Sequence, residues 1–363
     1  VNSELRIVKS DPEGYASPVR HSPFAIRHSA RRAVIDIGTN SVKLLVADVS
    51  PDAVEPIWEG SEQTRLGRGF YDDHQLRTEA IADTARAVAQ FVQTAREQGA
   101  MQVRVIATSA ARDAVNAGEL LDAVHAASGQ TVEVISGEQE ADWAFQGVLT
   151  DAALRSQPVL ILDVGGGSTE FILGAEGRAD FRDSFKLGTV RLLESTQLSD
   201  PPTAAELAAT RAQLRSFLDR EVRPRLAPLL PAEAAVGPTG RPRLAVQAHG
   251  EAARSAVRPS LGDLALVGTG GTTSILARLE LQLPDYDRAR IEATHFTAER
   301  LRWHVEQLWS LPLAERRALP GLPPDRADVI LFGVAIYEAV MASFGIATLR
   351  VSTRGLRFAA VRG

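Results

Sequence analysis

The chain carries the same short strand-turn-strand segment twice. DIGTNSVKLLV from Asp36 and DVGGGSTEFIL from Asp163 place Asp, Gly and Ser at identical offsets, pairing Asp36 with Asp163, Gly38 with Gly165 and Ser41 with Ser168. Each segment runs from one apolar stretch into another through a Gly-rich turn, which is the pattern of a hairpin. Two copies about one domain length apart point to a duplicated domain whose halves face each other across a cleft. The competing account is a chance likeness between two Gly-rich turns.

The surrounding pattern alternates strands with helices. Apolar residues at Ile81, Ala85, Val88, Val92 and Ala95 predict a helix over 78–98, stopped by Gly99. Strands are expected at 103–107 and 132–135 with a helical stretch at 119–127 between them, then a strand at 181–187 and helices from Gly188 and over 203–226. Further on, 264–267 reads as a strand entering a helix, Thr297 as the cap of a helix to Trp309, and 325–344 as an apolar helix ended by Gly345. A strand at 347–351 and a turn or helix from Gly355 close the chain. The fold class is therefore α/β. Three units are expected: an N-terminal arm at 1–32, a first domain at 33–150 and a second at 151–344. The second contains a loop excursion at about 227–262, rich in Pro, Gly and Ala.

Composition removes whole classes of chemistry. The 363 residues include no cysteine, so disulfides, thiolate catalysis and Cys-based metal sites are excluded and a metal must sit on carboxylates, imidazoles or carbonyls. There is no uninterrupted apolar run long enough for a membrane span and no signal-peptide block at the start, so a cytoplasmic protein without membrane attachment is expected. The net charge of −5 argues against a surface built for polyanions, and no nucleic acid is expected as partner. Residues 1–32 hold six Arg or Lys and three Pro without periodicity, which reads as a solvated arm.

Three Gly-rich turns offer backbone N–H groups and hydroxyls to anionic oxygens: Gly38–Ser41, Gly165–Thr169 and Gly268–Thr272. One such turn means little, because tight turns need Gly without any ligand. Three of them, each at the end of an apolar strand, make a phosphate cradle the stronger reading. Asp36 and Asp163 open the first two, and a carboxylate pair beside phosphate-binding turns is what Mg2+ requires, with Mn2+ as the alternative. The copies differ two residues past the shared serine, where Lys43 stands against Glu170. Glu170 is thereby a candidate metal or water ligand, unless both residues lie on exposed strand faces. Between the copies, Glu138 and Glu140 sit where a strand meets a helix, and their spacing lets at most one face a cleft. That one would deprotonate attacking water, although acids also favour first turns for the helix dipole alone.

These segments together resemble the exopolyphosphatase and guanosine pentaphosphate phosphohydrolase (Ppx/GppA) family of the actin-like superfamily. The matching stretches are AVIDIGTNSVKLLV, TRLGRGF, VIATSAARDA, VISGEQEADWAFQGV, VLILDVGGGSTEFILG, KLGTVRL, LVGTGGTTSILA, RADVILFGVAIYEAV and VSTRGLR, spread over roughly residues 33 to 360. ATSAARDA followed by ISGEQEA is the specific part. The resemblance implies two duplicated actin-like (ribonuclease H-like) domains, mixed sheets flanked by helices, an active site in the interdomain cleft, and the segment at about 345–363 completing the first domain. It implies Glu140 as the base that activates water and Asp163 and Glu170, with Asp36, as metal ligands. Arg112 would face the phosphate chain. The first cradle would be Gly38, Thr39, Asn40 and Ser41, and the second Gly165, Gly166, Gly167, Ser168 and Thr169. Gly268, Gly270 and Gly271 would make the third. Arg65, Arg68, Lys186 and Arg191 are further basic candidates. The chain resembles the short, two-domain form, without the additional helical region of long members.

The function implied is Mg2+-dependent removal of terminal phosphate from inorganic polyphosphate. The alternative is hydrolysis of the 5′ γ-phosphate of guanosine pentaphosphate (pppGpp), with pppGpp or ppGpp as ligand. A polyphosphate or alarmone sensor without catalysis would keep the turns and lose a carboxylate. An actin-like ATPase or kinase would use the turns for ATP and leave the Glu140 segment without a role. A homodimer is in keeping with the resemblance.

Overall fold

The computed structural model describes residues 29–230 and 264–363. Eleven strands in the described residues form two sheets. β1 (Ala30–Ile37), β2 (Val42–Val49), β3 (Val54–Glu62), β4 (Gln102–Ala107) and β5 (Val132–Val134) are ordered β3-β2-β1-β4-β5. β6 (Val159–Val164), β7 (Thr169–Ala175), β8 (Arg178–Phe185), β9 (Ala265–Thr269), β10 (His295–Thr297) and β11 (Thr348–Val351) are ordered β10-β11-β9-β6-β7-β8.

Read from its other end, the second sheet repeats the first strand for strand, with β10 as an added antiparallel edge. β1 pairs antiparallel with β2 and parallel with β4, as β6 does with β7 and β9. The two turns also match in their bonding: the Gly38 N–H donates to the Ser41 carbonyl at 3.0 Å and the Gly165 N–H to the Ser168 carbonyl at 2.9 Å. The repeat read from the sequence is thus a repeat of topology and of hydrogen bonds.

The helices are α1 (Thr78–Glu97), α2 (Ser109–Asp113), α3 (Ala117–Ser128), α4 (Gly137–Val148), α5 (Thr189–Ser195), α6 (Ala204–Phe217), α7 (Arg223–Leu226), α8 (Gly271–Leu281), α9 (Arg288–Glu292), α10 (Ala298–Ser310), α11 (Leu313–Arg316), α12 (Ile330–Phe344) and α13 (Leu356–Ala360). None is long and apolar enough to cross a membrane, among the described residues. Thr297 caps α10 as expected, its side chain accepting from the Arg300 N–H. The helix expected over 203–226 is interrupted by a π-helical turn at Leu218–Val222.

Both sheets are covered on both faces, which is why their central strands read as continuous apolar runs rather than alternating ones. In the first sheet Ile35 and Leu44 pack toward Val88 and Val92 of α1, while Val34 and Leu45 pack toward Leu356 and Phe358 of α13. In the second, Leu160, Leu162 and Phe171 join the large core with α12, while Ile161 and Ile172 pack on Ala141, Ala144 and Phe145 of α4.

The domain bounds read from the sequence need three corrections. β1 starts at Ala30, so residues 30–32 belong to the sheet; Arg31 pairs with Asp48 at 2.8 Å, and the rest of the expected arm, 1–28, lies outside the described residues. α4, expected in the first domain, covers the second sheet. The segment at 345–363 is divided: β11 joins the second sheet in parallel with β9, and only α13 packs on the first. The two halves thus exchange helices, and α4 crosses α13. Most of the expected excursion at 227–262 lies outside the described residues; its start, Ala227–Leu229, is a 3-10 turn.

Candidate active site

The hairpin turns β1-β2 and β6-β7 face each other across a cleft lined by Asp36, Gly38, Thr39, Asn40, Ser41, Glu140, Asp163, Gly165, Gly166, Gly167, Ser168, Glu170 and Gly271. Residues far apart in sequence converge there because each turn ends a central strand. The turns come close enough that a Cβ on Gly167 would lie 2.5 Å from Ser109 Oγ and 3.0 Å from Thr39 Oγ1, so a larger residue there would displace side chains of the opposite wall.

Glu140 enters the cleft from the first turn of α4. The Ser136 hydroxyl caps that helix by accepting from the Gln139 N–H at 3.1 Å, which fixes where the helix begins and so where Glu140 points. The neighbouring acid resolves as the spacing required: Glu138 is exposed and pairs with Arg182 at 3.0 Å, while Glu140 is 7% exposed. Arg112 Nη1 donates to Glu140 Oε2 at 3.0 Å and to the Ile135 carbonyl at 3.1 Å. Arg112 lies in an adjoining groove with Ser109, Ser168, Ser184 and Lys186, so it meets the carboxylate expected to act as base.

Glu170 is 1% exposed, and its Oε1 accepts from Ser168 Oγ at 2.8 Å and from Ser184 Oγ at 2.7 Å. Burial and then the Asp163 charge push its carboxyl up to about 7, against the pull of the two hydroxyls. Burial and then Glu170 raise Glu140 well above the usual carboxylate range, against the pull of Arg112. Burial and neighbouring negative charge thus favour the protonated form of both acids.

This arrangement has a consequence for stability. A carboxyl raised from 4.5 to about 7 on folding stabilises the fold fully below its unfolded value, and that contribution is lost as pH rises through about 7. The melting temperature of the metal-free protein should therefore fall between pH 5 and pH 7.5, and fall less in Glu170→Gln. An equal fall in both proteins would remove Glu170 as the cause.

Asp36 and Asp163 end β1 and β6. Burial raises both, and Lys43 and Arg357 pull Asp36 back. Asp36 Oδ1 is buried without a hydrogen-bond partner. Among the described residues no three acids or histidines are grouped to hold a metal. A hard cation that binds through one or two carboxylates and fills its shell with water and phosphate oxygens is Mg2+, so the pair Asp36 and Asp163 fits that ion. Glu170 is a weaker candidate, with Oε1 taken by two hydroxyls.

Several expected site residues are placed elsewhere. Gly268 is inside β9, its Cβ position filled by Thr273, Tyr337 and Leu349, so it is a packing glycine of the sheet. The Thr169 hydroxyl donates to the Leu187 carbonyl within the core. Gly270, at φ 88°, breaks β9 before α8, and a Cβ there would lie 2.4 Å from Asp163 Oδ1. Arg191 braces the second turn, donating to the Gly167 carbonyl at 3.0 Å and stacking 4.1 Å from the Tyr71 ring. Arg65 pairs with Asp328 at 3.0 Å, and Arg68 and Lys186 are exposed.

Polar cleft residues that went unassigned in the sequence are Lys43, Thr108, Ser109, Thr189 and Arg326. Arg326 Nη2 donates to Ser41 Oγ at 2.7 Å, tying the start of the α12 region to the first turn. Thr108 and Ser109 follow β4 as Gly270 and Gly271 follow β9. The duplication, extended one strand further, would have found them.

The fold and sequence are shared with known proteins. The model of the Ppx/GppA phosphatase family matches residues 45–241 and 240–359. Exopolyphosphatase 2 of Mycobacterium tuberculosis is 32% identical over 317 residues, 85% of this chain and 89% of that protein. Exopolyphosphatase 1 of Mycobacterium bovis is 27% identical over 328 residues, 90% and 86% of the two. Among solved structures, the Aquifex aeolicus Ppx/GppA family member aligns with a TM-score of 0.68 at 27% identity, covering 92% of this chain and 96% of that one. An exopolyphosphatase from Cytophaga hutchinsonii aligns with a TM-score of 0.72 at 26% identity, covering 91% and 96%. With two repeated sheets, facing Gly turns and matches over most of its length, this chain belongs to the Ppx/GppA phosphatase family.

Proposed function

We propose that this protein is an exopolyphosphatase in which Glu140 activates the water that attacks the terminal phosphorus of a polyphosphate chain. The observation that carries the reading is the position of Glu140, a buried carboxylate facing two Gly-rich turns with Arg112 at 3.0 Å. The N–H groups and hydroxyls of Gly38–Ser41 and Gly165–Ser168 are donors for the phosphoryl oxygens, and a preorganised set of donors stabilises charge that develops during transfer. Glu140 takes the proton of the attacking water. The Arg112 guanidinium opposes the burial and the Glu170 charge that raise Glu140, favouring the ionised form that a base needs, and lies where a phosphate oxygen can share it. Mg2+ held by Asp36 and Asp163 would neutralise phosphate oxygens.

Phosphate release from long polyphosphate, tripolyphosphate, pppGpp and ATP, each with and without Mg2+, tests the reading. Release from polyphosphate with Mg2+ supports it, and selective release from pppGpp would move the substrate to the alarmone. Binding without release from any of them would make the protein a sensor. Asp163→Asn should raise the Mg2+ concentration needed for half-maximal rate by about tenfold or more, the scale of one lost charged contact. An unchanged metal titration would exclude Asp163 from the metal site.

A further inference from the structure

The pseudo-symmetry of the two hairpins breaks at one position inside the cleft. Lys43 is the cross-strand partner of Asp36, as Glu170 is of Asp163. The first half therefore places an ammonium where the second places a carboxylate. Lys43 lines the cleft, and no hydrogen bond or ion pair within 4.0 Å joins its ammonium to a described residue, although the charges of Asp36 and Asp163 act on it through space. The guanidinium groups around it are engaged: Arg326 with Ser41 at 2.7 Å, Arg357 with the Leu44 carbonyl at 3.1 Å and with Glu59 at 3.4 Å. A half-buried charge without a bonded partner costs free energy, and an arriving opposite charge offsets it.

The cleft is also polarised along its length. Glu140 and Glu170 take their bonded partners Arg112 and Ser184 from the adjoining groove, whereas Lys43 and Arg326 line the cleft and not that groove. The glutamate pair, with Arg112, is therefore on the side of the cleft that meets this groove, while Lys43, cross-strand from Asp36, and Arg326 are away from it. In phosphoryl transfer the attacking and leaving oxygens are roughly in line across phosphorus. Water attacks from the Glu140 end: its oxygen bonds to phosphorus and its proton passes to Glu140. The bond from phosphorus to the bridging oxygen breaks, and its electron pair stays on the departing phosphate chain. That oxygen gains charge on the side of the cleft lined by Lys43 and Arg326.

We propose that Lys43 is a catalytic residue whose ammonium donates to the departing phosphate oxygen, at the end of the cleft opposite Glu140. The assignment rests on the hydrolase reading above. Removing Lys43 also removes a cation beside Asp36 and Asp163, so binding is measured without metal as well as turnover with it.

The test uses the full chain and tripolyphosphate, with Lys43→Met, Lys43→Arg and, if the Met variant does not fold, Lys43→Gln. In calorimetry with EDTA present, loss of the ammonium should weaken tripolyphosphate binding by about tenfold. With Mg2+, kcat should fall by about 10²-fold, the scale of one lost transition-state donor. Lys43→Arg should recover part of both, and the neutral variant should melt no lower than the parent. A neutral variant within threefold of the parent in both measurements would overturn the assignment and leave the hydrolase reading standing. A parent protein that neither binds nor hydrolyses tripolyphosphate and longer chains would overturn both.

Discussion

Glu140→Gln should lower kcat by about 10²-fold or more, the range lost with a general base, while tripolyphosphate binding and the melting temperature hold. The substitution keeps the side-chain length, and the amide oxygen can still accept from Arg112, which bonds Glu140 at 3.0 Å in the parent. What disappears is the proton acceptor. The repulsion between Glu140 and Glu170 disappears with it, so the variant should be no less stable than the parent, and slightly more stable at high pH where both acids ionise. Steady-state kinetics with circular dichroism melts separate these effects. Turnover within a few-fold of the parent would remove Glu140 as the base and leave Glu170, the other buried glutamate in the cleft, as the residue to replace next.

Gly147→Val should destabilise the protein by about 3 kcal/mol or more, the upper range for overpacking. Any Cβ at position 147 would fall 2.0 Å from the Gly355 carbonyl oxygen and 2.6 Å from its carbon. The obstruction is backbone, so no rotamer change relieves it and α4 and α13 must separate. α4 carries Glu140 into the cleft, and α13 carries Arg357 to the Leu44 carbonyl of β2. Separation should therefore reduce activity as well as the melting temperature. Gly118→Ala is the control: nothing lies within 4 Å of its Cβ position in α3, and alanine in a helix gains up to about 1 kcal/mol over glycine. A Gly147→Val protein that melts with the parent would mean that the two helices do not cross this closely.

Much of the fold was legible in the sequence because a strand-turn-strand copy leaves a local mark. Asp, Gly and Ser recur at fixed offsets where the same short turn is built, and the helical period of α1 and the stop at Gly99 are local in the same way. β3 was missed because Pro56 and Gly60 interrupt its pattern and only part of it is buried. Gly268 was assigned to a phosphate turn because a glycine packed beneath a tyrosine ring and a glycine exposing its N–H to a ligand look alike in one dimension. The exchange of α4 and α13 between the halves left no local trace, since an amphipathic helix does not specify which sheet receives its apolar face.

The sequence by itself determined the α/β class, the duplication, the two facing turns and the set of acidic residues available for chemistry, because each depends on residues within a few positions of one another. Only the tertiary structure decided which of those groups meet: Glu140 with Arg112, Glu170 with Ser168 and Ser184, Asp36 and Asp163 in one cleft, and Lys43 cross-strand from Asp36 with its ammonium free of hydrogen bonds to described residues. These pairings depend on distance through space, and the large apolar cores on both faces of each sheet set that distance.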